Sequence, residues 1–140
     1  MELNVIKPTR KYEAVLILHP DASEKDQQTF FKKQKETIKK YSGELYRVET
    51  WGKRRLANPI KKLKMGTYFH TMFEANSDCV AELERTMRIN DQVLRFMHTR
   101  LDDRKTIAQH FEDYKNLMKE SIEREQERER AFQRKQAKRR

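Results

Sequence analysis

From Thr50 to Phe73 the chain reads TWGKRRLANPIKKLKMGTYFHTMF, 24 residues without an Asp or Glu. Six cations lie in it: Lys53, Arg54, Arg55, Lys61, Lys62 and Lys64. Across the whole chain 22 of 140 residues are acidic, so a window this long would ordinarily hold several carboxylates. Their absence leaves positive charge unneutralised, which suits a surface set against phosphates. Gly52, Pro59 and Gly66 punctuate the run, and Tyr68, Phe69, His70, Met72 and Phe73 crowd its end. The pattern predicts two long antiparallel strands joined by a basic loop, the second strand half-buried.

The flanking segments supply the rest of a sheet. In Tyr12–Leu18, YEAVLIL, Tyr12, Ala14, Leu16 and Leu18 fall on one face of a strand and Glu13, Val15 and Ile17 on the other. The second face is also apolar, so a helix layer or another molecule should cover it. After Pro20, Asp21 and Ser23 offer helix caps and Glu24 and Asp26 favour a first turn. Phe30, Ile38 and Tyr41 mark the buried stripe, beside a lysine-rich solvent side, and Gly43 is expected to stop the helix. Leu45–Trp51 and Thr67–Ala75 read as strands two and three. Asn76 or Ser77 should cap a second helix carrying Val80, Leu83 and Met87. Asn90-Asp91 turns the chain into a fourth strand, Val93–Leu101.

The order β-α-β-β-α-β, joined by right-handed crossovers, predicts an α+β, ferredoxin-like fold. It is a four-stranded antiparallel sheet with two helices on one face and the other face bare. A C-terminal helical extension follows. Ile107, Phe111, Tyr114, Met118 and Ile122 recur at helical spacing, and no Gly or Pro occurs after Gly66. Past Ile122 the stripe fades to Phe132, and the end is expected to fray in water. The division is then a flexible lead over residues 1–9, a domain over 10–103 and a basic helical extension over 104–140.

A net charge of +10 points to a polyanionic partner, nucleic acid first. Cys79 is the sole cysteine, which excludes an internal disulfide and fits a reducing compartment. No run of 18 apolar residues suggests a membrane span, and no signal-type segment opens the chain. Enzyme signatures are missing. His19, His70, His98 and His110 show no metal-ligand spacing, there is no P-loop or nucleophile elbow, and Asp102-Asp103 reads as a strand-end turn. No cofactor and no small-molecule substrate are expected.

For RNA, the strand MGTYFHTMF lacks the aromatic pattern of an RNA-recognition strand, and Glu13 and Glu74 should share its open face. That face reads better as a protein-docking patch of Val15, Ile17, Tyr68, His70 and Met72. The RNA contact is assigned instead to Lys53, Arg54, Arg55, Lys61, Lys62 and Lys64, extended by Arg10, Lys11, Arg95 and Arg100. In the tail, Arg134, Lys135, Lys138, Arg139 and Arg140 are candidates for further RNA contact, while the Ile107–Ile122 stripe docks on a protein neighbour.

W-G-K-R-R-L-A-N-P-I at Trp51–Ile60, closely followed by G-T-Y-F at Gly66–Phe69, resembles the signature hairpin of the bacterial small-subunit ribosomal protein six family. R-K-Y-E at Arg10–Glu13, the Leu18–Pro20 closure and the Leu83–Arg95 segment agree with it. Within the hairpin, Gly52, Arg54, Arg55, Leu56, Ala57 and Pro59 match. Asn58 stands where an aromatic is often found, and His70 where a larger one can occur. The resemblance implies the same fold and a structural, non-catalytic role in the cytoplasmic ribosome. It also implies binding to the central domain of small-subunit ribosomal RNA together with small-subunit ribosomal protein eighteen. A free RNA-binding regulator of the same fold, or a pure protein-interaction module, is the alternative. The basic helical tail departs from the short or acidic ends common in that family.

Overall fold

A computed structural model of the chain describes residues 7–139. Its elements are β1 (Thr9–Leu18), α1 (Glu24–Lys40), β2 (Glu44–Ile60), β3 (Leu63–Asn76), α2 (Asp78–Arg88), β4 (Val93–Arg100) and α3 (Ile107–Lys138). The chain divides into two compact units, up to Asp103 and from Arg104 onward.

In the first unit the strands form one antiparallel sheet in the order β2-β3-β1-β4, as the alternation of strands and helices predicts. Tyr12, Ala14, Leu16 and Leu18 of β1 are buried, together with Phe69, Phe73 and Ala75 of β3 and Val93 of β4. Phe30 and Ile38 of α1 and Cys79, Leu83 and Met87 of α2 close over them. Tyr12 stacks on Phe73 at 5.5 Å, and Phe31 packs on Phe69 at 4.9 Å. Both helices therefore cover the face that the even positions of β1 present. The lead-in expected over residues 1–9 lies for residues 1–6 outside the described residues. Lys7 pairs with Asp78 of α2, and Thr9 already belongs to β1, three residues earlier than the alternation suggests.

Local chemistry sets the helix ends. Ser23 and Asp26 form a reciprocal capping box at the start of α1. At its other end the left-handed residue is Ser42, with φ +60°, and not the expected Gly43. Ser42 N–H donates to Lys39 and Gly43 N–H to Ile38, the paired bonds of a Schellman motif. Gly43 has a different reason to be glycine. A Cβ there would lie 2.0 Å from the Glu74 carbonyl oxygen and 2.9 Å from Ala75 Cα. At α2, Ser77 makes no side-chain cap bond; Asn76 Oδ1 accepts from Asp78 N–H at 3.1 Å.

The second unit is helix α3. Thr106 and Gln109 form its capping box, and Lys105 bonds Asp113 at 2.7 Å. The helix continues through Lys138. Its second half is built almost wholly from Glu, Gln, Lys, Arg and Ala, good helix formers, with no β-branched residue after Ile122.

Candidate nucleic-acid interface

The site begins with a difference in strand length. β1 ends where Leu18 pairs with Thr67, whereas β2 and β3 continue pairing through Arg54–Gly66, Arg55–Met65 and Ile60–Leu63. Beyond Thr67 the hairpin is thus a two-stranded arm with no third strand beside it. An isolated ribbon of this kind is marginal in water, so something must hold its base.

Two devices do so. Between Arg55 and Ile60 the pairing shifts, and four β2 residues face one residue of β3. Pro59, which lacks an N–H, falls inside this bulge, where no ladder bond is asked of it. Leu56 turns inward from the bulge and is 7% exposed. It packs over Gly66, where a Cβ would meet Ile17 Cγ2 at 2.4 Å and Leu56 Cδ2 at 3.3 Å. A small cleft of about 170 Å³ remains between the bulge and the sheet, lined by Ile17, Leu56, Asn58, Ile60, Tyr68 and Arg95 among others.

The second device is Trp51. It sits at a bulge between Thr50 and Gly52, and Gly52 takes a φ of +77° with open space about its α-carbon. Glycine is needed there for the backbone angle and not for room. The bend lays the indole over β3, stacked on Tyr68 at 5.9 Å and on His70 at 6.4 Å. Thr50 Oγ1 donates to the Tyr68 carbonyl, and Arg54 Nε donates to the Trp51 carbonyl at 3.2 Å.

At the tip, Lys61 and Lys62 form a two-residue connection with φ of +49° and +67°. Both angles lie in the left-handed region, as a type I′ hairpin turn requires, where Asn-Gly is the usual occupant. Two lysines sit there against that preference. All six arm cations are exposed, and none of them forms an ion pair among the described residues.

The other RNA candidates are arranged differently. Arg95 lines the cleft under the arm. Arg10, Lys11 and Arg100 lie at the far end of the sheet, about 20–27 Å from Leu18 by the rise of an antiparallel strand. Arg100 donates to Asp103 Oδ2 at 2.6 Å and Arg10 lies 3.8 Å from the same oxygen. The Arg100 hydrogen bond holds the Asp103 carboxyl below the usual carboxylate range. The structure thus separates the ten positions into an arm group with Arg95 and a distant, partly neutralised group. In the tail, Arg134, Lys135, Lys138 and Arg139 are exposed near the end of α3, and Arg140 lies outside the described residues.

On the sheet face away from α1 and α2, the register sets Val15 beside His70, Ile17 beside Tyr68 and Glu13 beside Met72. The five docking candidates are therefore contiguous. His70 and Met72 are only 2% and 1% exposed, and His70 Nε2 lies 3.1 Å from Glu13 Oε2. Val15, Ile17 and Tyr68 are half-buried. Met97, paired with Val15 on β4, is 60% exposed on this face and escapes a reading of single strands. Trp51 and Leu56 are missed in the same way. Their signal is a bulky apolar residue alone among cations with glycine nearby. Among the described residues no group of three or more His, Cys, Asp or Glu could hold a metal ion.

These features coincide with a known family. A family model described as Ribosomal protein S6 matches residues 11–100, which includes the arm and all but the first two residues of the four strands. The chain is 55% identical over 116 residues to the small ribosomal subunit protein bS6 of Bdellovibrio bacteriovorus, covering 83% of this chain and 76% of that one. It is 37% identical over 94 residues to the protein of the same name from Trichlorobacter lovleyi, covering 67% and 77%. The crystal structure of 30S ribosomal protein S6 from Thermotoga maritima is similar with a TM-score of 0.61 and 25% identity, over 81% of this chain and 99% of that one. The chain belongs to the ribosomal protein S6 family of the small ribosomal subunit.

Proposed function

We propose that this chain is a structural, non-catalytic component of the small ribosomal subunit in the cytoplasm. Its β2–β3 arm binds the central domain of small-subunit ribosomal RNA, and small-subunit ribosomal protein eighteen joins it as the protein partner. The observation that supports RNA binding most strongly is the arm itself: six exposed cations, without carboxylate partners among the described residues, on a ribbon that projects past β1. Charge so placed neutralises phosphates and releases their counterions, which gives affinity without reading base sequence. Arg54 and Arg55 suit bidentate contact with phosphate oxygens, and the lysines act as point charges.

On the open sheet face, Val15, Ile17, Tyr68 and Met97 offer the accessible apolar area for the protein partner, with His70 and Met72 supporting it from beneath. The distant Arg10, Lys11 and Arg100 are lesser RNA candidates because Asp103 already engages two of them.

Sedimentation of a lysate through a sucrose gradient tests the proposal. A structural component stays in the small-subunit peak through washes at raised salt. Release at moderate salt marks a free RNA-binding regulator, and failure to bind ribosomal RNA at low salt marks a pure protein-interaction module. Either result overturns the proposal.

A further inference from the structure

The last turns of α3 carry a charge pattern that helix stability does not account for. From Glu120 to Glu129 there are five glutamates and two arginines; from Arg130 to Arg140 there are six cations and no acid. Opposite charges four residues apart support a helix and like charges oppose it. Upstream, Lys119–Glu123 and Glu120–Arg124 are favourable, the second at 3.5 Å, and Glu123–Glu127, Arg124–Arg128 and Glu125–Glu129 are repulsive. Downstream, Arg130–Arg134, Arg134–Lys138 and Lys135–Arg139 are all repulsive. Cations in a last turn complement the helix dipole, but that effect fades within one turn. Here the run begins more than two turns from the end.

The cations are also one-sided. At 3.6 residues per turn, Arg130, Arg134 and Lys138 form one stripe, and Lys135 and Arg139 lie next to it within the same half of the circumference. Gln133, Gln136 and Ala137 occupy the opposite half. Phe132, 61% exposed, stands at the border beside Arg139. The back of the helix is polar, without the apolar half that a membrane-surface helix needs. A half-cylinder of cations with an aromatic at its edge suits phosphates on one side and an unstacked base at the rim.

We propose that the Arg130–Arg139 end of α3 is a second RNA-binding surface, separate from the arm, in which five cations engage backbone phosphates and Phe132 stacks on an unpaired base. The inference rests on the reading of the chain as an RNA-binding ribosomal protein, and it adds a site outside the residues matched by the family model. Binding removes the repulsion along the cationic stripe, so RNA should also firm the last turns of the helix.

The test uses the full chain and a transcript of the small-subunit ribosomal RNA central domain, titrated over a range of salt. The tail variant R130Q/R134Q/K135Q/K138Q/R139Q keeps helix-forming residues, and circular dichroism verifies its helix content. Its plot of log affinity against log salt should be shallower by about 3.5, at roughly 0.7 for each phosphate no longer neutralised. F132L should weaken binding several-fold with the slope unchanged, and amides of the last three turns should gain exchange protection on adding RNA. A tail variant with wild-type affinity and slope, while an arm variant loses binding, overturns the second surface alone. If neither variant changes binding, the RNA reading itself fails. If the wild type binds vesicles of phosphatidylcholine and phosphatidylserine as tightly as RNA, and the tail variant loses both, the surface is a general anion binder and the proposal is wrong.

Discussion

Replacing Lys61-Lys62 by Asn-Gly should make the protein more stable and a poorer RNA binder at once. Both lysines hold left-handed backbone angles, φ +49° and +67°, in the two-residue tip of the arm. An L-residue there bears about 1–2 kcal/mol of strain. Glycine at the second position removes that strain but gives up ~0.5–1 kcal/mol in unfolded-state entropy, and asparagine at the first recovers a further part. The net gain is about 1 kcal/mol, which for a domain of this size raises Tm by roughly 4–8 °C. The same change deletes two of the six exposed arm cations. If both meet phosphates, the salt slope falls by about 1.4, and affinity at ~0.1 M salt drops roughly 25-fold when the intercept at ~1 M salt is unchanged. Urea or thermal unfolding gives the first number, and RNA titration at several salt concentrations gives the second. A variant that is stabilised yet binds RNA as before would show that the lysines are not at the tip for RNA. A destabilised variant would refute the strain argument.

Other consequences can be checked on single variants. Gly43→Ala sets a Cβ against the backbone of β3 and should destabilise by about 3 kcal/mol or more in urea unfolding. Ser42→Gly, one position earlier and left-handed, should stabilise by about 0.5–1 kcal/mol. Burial against Phe73 and Phe96 pushes the His98 imidazole below its ordinary range, with the bond to Glu84 opposing that shift in part. The unfolded chain therefore takes up this proton first, so stability should fall as pH drops below about 6.5, and His98→Gln should flatten that dependence between about pH 5 and 7. Asp26, Glu82 and Asp103, held low by hydrogen bonds, add to acid destabilisation only at lower pH. Burial raises the Cys79 thiol to about 12, so a thiol reagent should label it only as fast as the protein unfolds.

The strands are legible in the sequence where one face meets a core. β1 alternates from Tyr12 to Leu18 because every second residue packs under the helices, and that period survives in the residue pattern. β2 is legible only to Trp51, since between Gly52 and Pro59 only Leu56 is buried and a single buried residue shows no alternation. β3 is legible from Thr67, the residue at which β1 begins to pair with it, and not from Leu63. The acid-free run discloses the six cations of the arm. Period two assigns His70 and Met72 to the open face correctly, but their burial depends on groups the strand pattern does not contain, among them the Trp51 indole swung over by a bulge. The Asp103 contacts of Arg10 and Arg100 likewise arise from the β1–β4 register and leave no trace in local spacing. Gly43 stands out as necessary from sequence, though as a helix stop and not for the close approach of β3.

The claim at the centre of this account is that the arm exists to meet phosphates. Its most direct test is the salt dependence of binding to the small-subunit ribosomal RNA central domain for the full chain and for K53Q/R54Q/R55Q/K61Q/K62Q/K64Q. The variant should fold, keep its Trp51 and Leu56 packing, and show a slope smaller by about 4, at roughly 0.7 per cation. A folded variant whose slope and affinity equal those of the wild type would contradict it.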